Sequence, residues 1–222
     1  MQKKNPVTAD FKIEDRFLNL SGDYEYFEID TVTIGNVRFT ALEDSAEYFW
    51  EIGAGVYTTK VVELYFPEST LWQTIPIKLT VTKEPDTVCF PNDPGQQILV
   101  KSMFVIDVCS GLYDGTFIGK RSDNQEEDYT IVIDLRKEHD TDTDCKEVYI
   151  ENIDGKECAY LWDGQKAFGY RRLWLSESGI VCDAFRFLIV VKGRDSIYFD
   201  AVSVVNSEPY YWSFKGKRVK VG

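Results

Sequence analysis

The stretch Thr74-Ile75-Pro76-Ile77-Lys78-Leu79-Thr80-Val81-Thr82 places a large apolar residue at every second position. Successive side chains of a β-strand point to opposite faces of the sheet, so this alternation predicts a strand that is buried on one face. The predicted inward residues are Ile75, Ile77, Leu79 and Val81. Pro76 lies on the other face and cannot donate a ladder hydrogen bond, which indicates an edge strand or a bulge.

The same pattern recurs through the first hundred residues, interrupted by polar turns. Further strand candidates are residues 10–13, 24–29, 37–41, 47–52, 61–66 and 96–108. Few stretches carry the i, i+3, i+4 spacing of an amphipathic helix. About seven short strands separated by turns predict an immunoglobulin-like β-sandwich.

Three motifs in this region are similar to those of a known family: residues 39–41 (FTA), 48–55 (YFWEIGAG) and 77–82 (IKLTVT). With them, residues 8 to 108 resemble a PKD domain, an immunoglobulin-like sandwich common on bacterial cell-surface proteins. The resemblance implies that Trp50 is a buried core residue and that Gly53 and Gly55 form a turn. It also implies that Leu79 and Val81 are the last inward residues. Another type of sandwich stays open as an alternative.

Residues 109–222 form the second predicted domain, and its boundary with the first lies near Cys109-Ser110-Gly111. Its strand candidates are residues 112–118, 129–135, 147–153, 158–162, 168–175, 184–191, 197–205 and 210–214. Eight strands with short connections predict an antiparallel β-barrel or a closed sandwich. The opening GLYDGTFIG (111–119) and the closing WSFKGKR (212–218) resemble lipocalin-like domains of bacterial lipoproteins. The fold class predicted for the whole chain is therefore all-β.

Composition narrows the classes of partner. The 222 residues include 37 Asp+Glu against 25 Lys+Arg, and the formal net charge is -12. Such a field repels phosphate backbones, so we expect no nucleic-acid partner. The start, Met-Gln-Lys-Lys-Asn-Pro, resembles the tether of a mature bacterial lipoprotein, with Met1 in place of the lipidated Cys. This favours an extracytoplasmic protein held at the outer membrane of a bacterium by a lipid anchor; a cytoplasmic protein is the alternative.

Catalytic machinery is hard to find in the sequence. His139 is the only histidine and lies in the polar run 137–142, which predicts an exposed loop. A nucleophile–histidine pair would have to use it, so we expect none. Two facing carboxylates remain open as the basis of a carbohydrate-active enzyme. The five cysteines show neither a CxxC pair nor metal-ligand spacing, and their pairing stays open.

Two groups of residues are candidate sites. The alternating Asp140, Asp142 and Asp144, followed by Glu151, have the spacing of oxygen ligands in a calcium loop. Cys145 occupies the position where such a loop requires Gly, and a solvated loop is the alternative; no other cofactor is expected. The candidate ligand-binding aromatic residues are Tyr160, Trp162, Tyr210 and Trp212. Such rings stack on sugars or line a barrel mouth, and core packing is their alternative role.

Together these patterns favour a non-enzymatic binding module over an enzyme. The expected ligand is a glycan, a small molecule or a surface protein. The carboxylate-pair enzyme and a purely structural component of a surface assembly are the alternatives.

Overall fold

The computed structural model describes residues 6–18, 23–33, 35–106, 114–136, 147–153, 156–162, 172–175, 185–190, 195–205 and 208–219. Within this part of the chain there are seventeen β-strands and one short 3-10 helix, Glu68–Thr70. The all-β prediction is confirmed. None of the helical structure in the described part of the chain is long and apolar enough to span a bilayer.

The chain divides into two compact units. The first comprises Met1–Asp15 and Glu28–Val105, and the second comprises Arg16–Phe27 and Ile106–Gly222. The predicted domains, 8–108 and 109–222, place residues 16–27 in the first domain. The structure groups this segment with the second unit, where the centroid of the Phe27 ring lies 5.0 Å from that of the Tyr198 ring.

Two sheets form the sandwich. Its strands are β1 (Phe11–Leu18), β2 (Tyr24–Glu28), β3 (Thr31–Thr33), β4 (Gly35–Ala41), β5 (Glu47–Ile52), β6 (Gly55–Tyr57), β7 (Val61–Phe66), β8 (Thr74–Thr82) and β9 (Gln96–Ile106). One sheet has the order β2-β1-β4-β7, in which residues 16–18 of β1 and 24–27 of β2 are counted with the second unit, and the other sheet has the order β3-β9-β8-β5-β6. The second order, read from β9 to β6, corresponds to the G-F-C-C′ sheet of immunoglobulin-like domains.

The core of the sandwich is built around Trp50. Its side chain is completely buried, and the Phe11 ring meets it edge-on with centroids 5.2 Å apart. The indole N–H donates to the carbonyl oxygen of Thr59 at 2.8 Å, so its one polar atom is satisfied. The inward residues expected for β8 are all buried, including Leu79 and Val81. Alternation along this strand therefore identified its buried face correctly.

Pro76 does not mark an edge strand. β8 lies between β5 and β9, and it pairs with both. The carbonyl oxygen of Pro76 accepts from Gly53 N–H at 3.4 Å, so the Pro76 nitrogen faces the same side. That position lies just past the last paired residue of β5, Ile52. The missing N–H therefore falls where the β5 ladder ends, and proline is tolerated inside the sheet.

The second unit contains eight antiparallel strands in chain order. They are β10 (Gly115–Arg121), β11 (Asn124–Arg136), β12 (Glu147–Ile153), β13 (Lys156–Trp162), β14 (Arg172–Leu175), β15 (Phe185–Val190), β16 (Ser196–Val205) and β17 (Glu208–Arg218). β10 pairs with β17 as well as with β11, so the ring of strand pairs is a closed barrel. Phe117, Ile131, Trp212 and Phe214 are among its buried residues.

The β10–β11 hairpin is one of three strand pairs in the described part of the barrel whose register shifts. Gly119 pairs with Tyr129, but Arg121 pairs with Asn124. Residues 125–128 of β11 therefore lie opposite Lys120 alone. Extra residues on one strand bend it and redirect its side chains. This bulge, residues 125–128, contributes Glu127 and Asp128 to the lining of a pocket.

Candidate functional site

Arg121 ends β10 in a largely enclosed position. Its guanidinium carbon lies 3.9 Å from the centre of the Trp212 ring and 5.1 Å from that of Tyr129. Only 12% of the Arg121 side chain is exposed. A guanidinium that stacks on aromatic faces is attracted by their negative π-surfaces, more strongly where water is excluded. The stack therefore holds a cation beside the barrel wall.

Asp123 fixes the plane of this guanidinium. Arg121 Nε donates to Asp123 Oδ1 at 2.9 Å, and Nη2 donates to Oδ2 at 2.6 Å. The Arg121 hydrogen bonds lower the pKa of Asp123 from its ordinary value of 3.8, and a hydrogen bond from the Tyr210 side chain lowers it further. Two parallel bonds between a guanidinium and a carboxylate are directional as well as strong. Arg121, Asp123 and Tyr210 thus form one fixed polar unit.

The bulge is ordered by its own hydrogen bonds. The side-chain oxygen of Asn124 accepts from the backbone N–H groups of Glu126 at 3.2 Å and Glu127 at 3.3 Å. Asn side chains commonly bond to backbone groups two residues further on, in place of a ladder bond. On the facing strand β10, the Lys120 side chain forms an ion pair of 2.9 Å with Asp128. Local bonds therefore replace the strand pairing that this segment lacks.

A pocket of about 250 Å³ opens between the stack and the bulge. It is lined by Arg121, Asp123, Asn124, Glu127, Asp128 and Tyr129. One guanidinium and three carboxylates make the lining net negative, with an aromatic ring beside them. In the described part of the chain, no group of three His, Cys, Asp or Glu side chains could hold a metal ion. This pocket suits a polar organic ligand that carries hydrogen-bond donors.

Two of the four aromatic residues expected to bind a ligand adjoin this pocket. Tyr210 is 41% exposed and bonds to Asp123, whereas Trp212 is 1% exposed and lies under Arg121. Trp212 therefore packs in the interior, which is the alternative role for these rings. Its ring face also contacts the Arg121 guanidinium. Of these two residues, Tyr210 is the one that is exposed to solvent.

Tyr160 and Trp162 lie on β13. Tyr160 pairs with Val148 of β12, and Trp162 pairs with Leu173 of β14. Their side chains lie outside the described part of the structure. Their role in ligand binding stays a prediction.

The candidate calcium ligands also lie beyond what the structure describes. Asp140, Asp142 and Asp144 are outside the described residues, as is His139. Glu151 lies on β12, where its backbone pairs with Val132, and its side chain is not described. Calcium binding stays a prediction.

The acidic run 123–128 lies between the strand candidates 112–118 and 129–135, and its composition predicts the turn that connects them. The turn itself is Ser122–Asp123, and Asn124–Asp128 begins β11. The expectation of a turn was wrong for those five residues, because consecutive polar residues also suit a solvent-facing, bulged strand end. None of the six residues that line the pocket is among the site residues predicted from the sequence. The close spacing of Arg121, Asp123 and Tyr129 was the available clue, but it does not reveal the register shift.

The fold places the chain among all-β proteins built from a sandwich and a closed antiparallel sheet. No protein-family model matches it, and no curated protein matches its sequence. The pocket geometry is therefore the basis for a functional proposal.

Proposed function

We propose that this protein is a non-enzymatic, extracytoplasmic binding module whose second unit binds a neutral glycan in the pocket at the β11 bulge. The observation that carries the proposal is the fixed unit of Arg121, Asp123 and Tyr210 beside the pocket. Saccharide hydroxyls donate to carboxylates, and the flat faces of sugar rings pack on aromatic rings. The pocket offers both kinds of group within one small volume.

The negative charge of the pocket favours neutral glycans over acidic ones. Glu127 and Asp128 add two carboxylates to that of Asp123. Arg121 offsets one of these charges and Lys120, which pairs with Asp128, offsets another, so one negative charge is left uncompensated. A ligand with its own carboxylate or phosphate would meet like charges there, whereas a neutral sugar would not. We therefore expect neutral oligosaccharides to bind and uronic-acid oligosaccharides of equal length to bind at least tenfold more weakly.

A carbohydrate-active enzyme with a carboxylate pair is the second candidate, because three carboxylates line the pocket. Such an enzyme needs one carboxylic acid whose pKa is raised so that it can donate a proton. Asp123 has the opposite tendency, since the hydrogen bonds from Arg121 lower its pKa. Asp123 is therefore held as an anion that accepts hydrogen bonds, which suits a binding role and does not suit the role of proton donor.

Calorimetric titration with a panel of neutral and uronic-acid oligosaccharides tests the proposal. We expect Tyr210→Ala to weaken binding by about tenfold, which corresponds to about 1.4 kcal/mol. Tyr211→Ala is the matched control, because Tyr211 is 55% exposed and adjacent but points to the other face of β17. Binding that both variants weaken equally, or a panel in which nothing binds, would contradict the proposal.

The same samples separate binding from catalysis. We expect no new reducing ends when the protein is incubated with the oligosaccharide that it binds. Release of reducing sugar that is lost in Glu127→Gln would instead identify an enzyme.

A further inference from the structure

The five-stranded sheet of the first unit has an outer face with several exposed apolar side chains. Phe49, Val56, Ile98 and Val100 are 44%, 58%, 56% and 59% exposed, respectively. They alternate with inward residues such as Trp50 and so lie on the face away from the core. Clustered apolar residues on a soluble protein commonly mark an interaction surface.

The strand register arranges part of this face as one row. Val56 of β6 pairs with Glu51 of β5, Glu51 pairs with Lys78 of β8, and Lys78 pairs with Val100 of β9. Side chains directly opposite each other on neighbouring strands lie side by side. The row therefore runs apolar, acidic, basic, apolar, with the Lys78–Glu51 ion pair of 2.5 Å at its centre.

This row is self-complementary. A two-fold axis parallel to the strands, passing between β5 and β8, reverses the row in a facing copy. Val100 then meets Val56 of the second copy, and Lys78 meets Glu51 of the second copy. A two-fold interface requires such a match, because the same patch must serve on both sides.

The adjacent row fits the same arrangement. Phe49 pairs with Thr80, and Thr80 pairs with Ile98. The same axis places Phe49 of each copy over Thr80 of the other, so that an aromatic ring packs on a threonine methyl group. Sheets that pack face to face in this aligned manner are typical of β-sandwiches.

We propose that the outer face of the β9-β8-β5-β6 sheet binds a second copy of this chain as a two-fold dimer. The charge distribution favours this occupant. The chain carries a net charge of -12, but the centre of this face is an acid–base pair with no net charge. Two copies can therefore approach here with little like-charge repulsion. The rows that meet contribute few side chains from each copy, so the contact area is small and the dimer is weak and depends on concentration.

Sedimentation velocity from about 1 μM to about 1 mM protein tests the proposal. We expect a monomer–dimer equilibrium within this range for the wild type. Lys78→Glu places an acidic residue opposite Glu51 of the facing copy, and we expect it to raise the dissociation constant at least tenfold. Glu51→Lys should do the same, whereas the double variant E51K/K78E restores the pairs and the dimer.

Lys12→Glu is the control, since it makes the same change in net charge at an exposed residue of β1 in the other sheet. All four substituted forms are expected to fold, because the changed side chains are exposed; circular dichroism checks this. A wild type that stays monomeric up to about 1 mM would overturn the proposal. Equal weakening by Lys12→Glu and Lys78→Glu, or a double variant that does not dimerise, would also overturn it.

Discussion

Two hairpins, one in each unit, show how strand register decides what a surface offers. β5 and β6 pair without a shift along Gly55–Tyr57, and their turn uses Gly53 at φ +57°. β10 and β11 lose their register between Gly119 and Arg121. The regular hairpin extends a flat sheet face with apolar side chains, whereas the irregular one encloses a polar pocket. In this protein the polar pocket lies where the register shifts, and the flat apolar face lies where it does not.

The largest expected effect is at the core behind the regular hairpin. Trp50→Ala removes a completely buried ring and should lower the free energy of unfolding by about 3–5 kcal/mol. Urea denaturation followed by circular dichroism measures it. Trp72→Ala is the control, because that ring is 59% exposed, and its cost should stay below about 1 kcal/mol. Equal costs would mean that Trp50 does not hold the sandwich together.

The next effect concerns the base of the irregular hairpin. A Cβ atom on Gly119 would clash with the carbonyl oxygen of Lys215 on β17, so backbone would have to move. Gly119→Ala should therefore destabilise the second unit by about 1–3 kcal/mol in urea denaturation. Ile118→Ala, at a neighbouring side chain that is 42% exposed, is the control with a smaller expected cost. If Gly119→Ala left the free energy of unfolding unchanged, β10 and β17 would lie farther apart at Gly119 than the structure places them.

The smallest expected effect is a pH-dependent difference in stability that arises from Asp123 in the irregular hairpin. The pKa of Asp123 is lowered in the folded protein, so its contribution to stability is present above the unfolded-state pKa and is lost as pH falls through the folded-state pKa. Asp123→Asn should therefore be less stable than the wild type at pH 7, and the difference should shrink below about pH 4. Thermal unfolding across pH measures this difference.

Asp44→Asn is the control for that experiment. Asp44 also has a lowered pKa, from its hydrogen bond with Lys60, but its side chain is 83% exposed. Solvent screens such a pair, so its pH-dependent difference should be smaller. A difference for Asp123→Asn that is constant or grows in acid would contradict the assigned role of Arg121.

The sequence predicted most of the fold because alternation reports burial directly. Strands β5, β7, β8 and β12 have the predicted bounds. Strands β3 and β6 were missed, since three residues are too few to show a period. The site was missed for a different reason. Register between strands is a long-range property, and nothing within residues 121–129 indicates which β10 residue each one faces.

The most direct test of the central claim locates the ligand on the chain. In backbone ¹H–¹⁵N spectra recorded during titration with a neutral oligosaccharide, we expect the largest shifts at residues 121–129 and 210–213. Residues 47–57 of the regular hairpin should change little. Shifts concentrated in 47–57, or absent from 121–129 while the saccharide binds, would contradict the claim that the bulge forms the binding site.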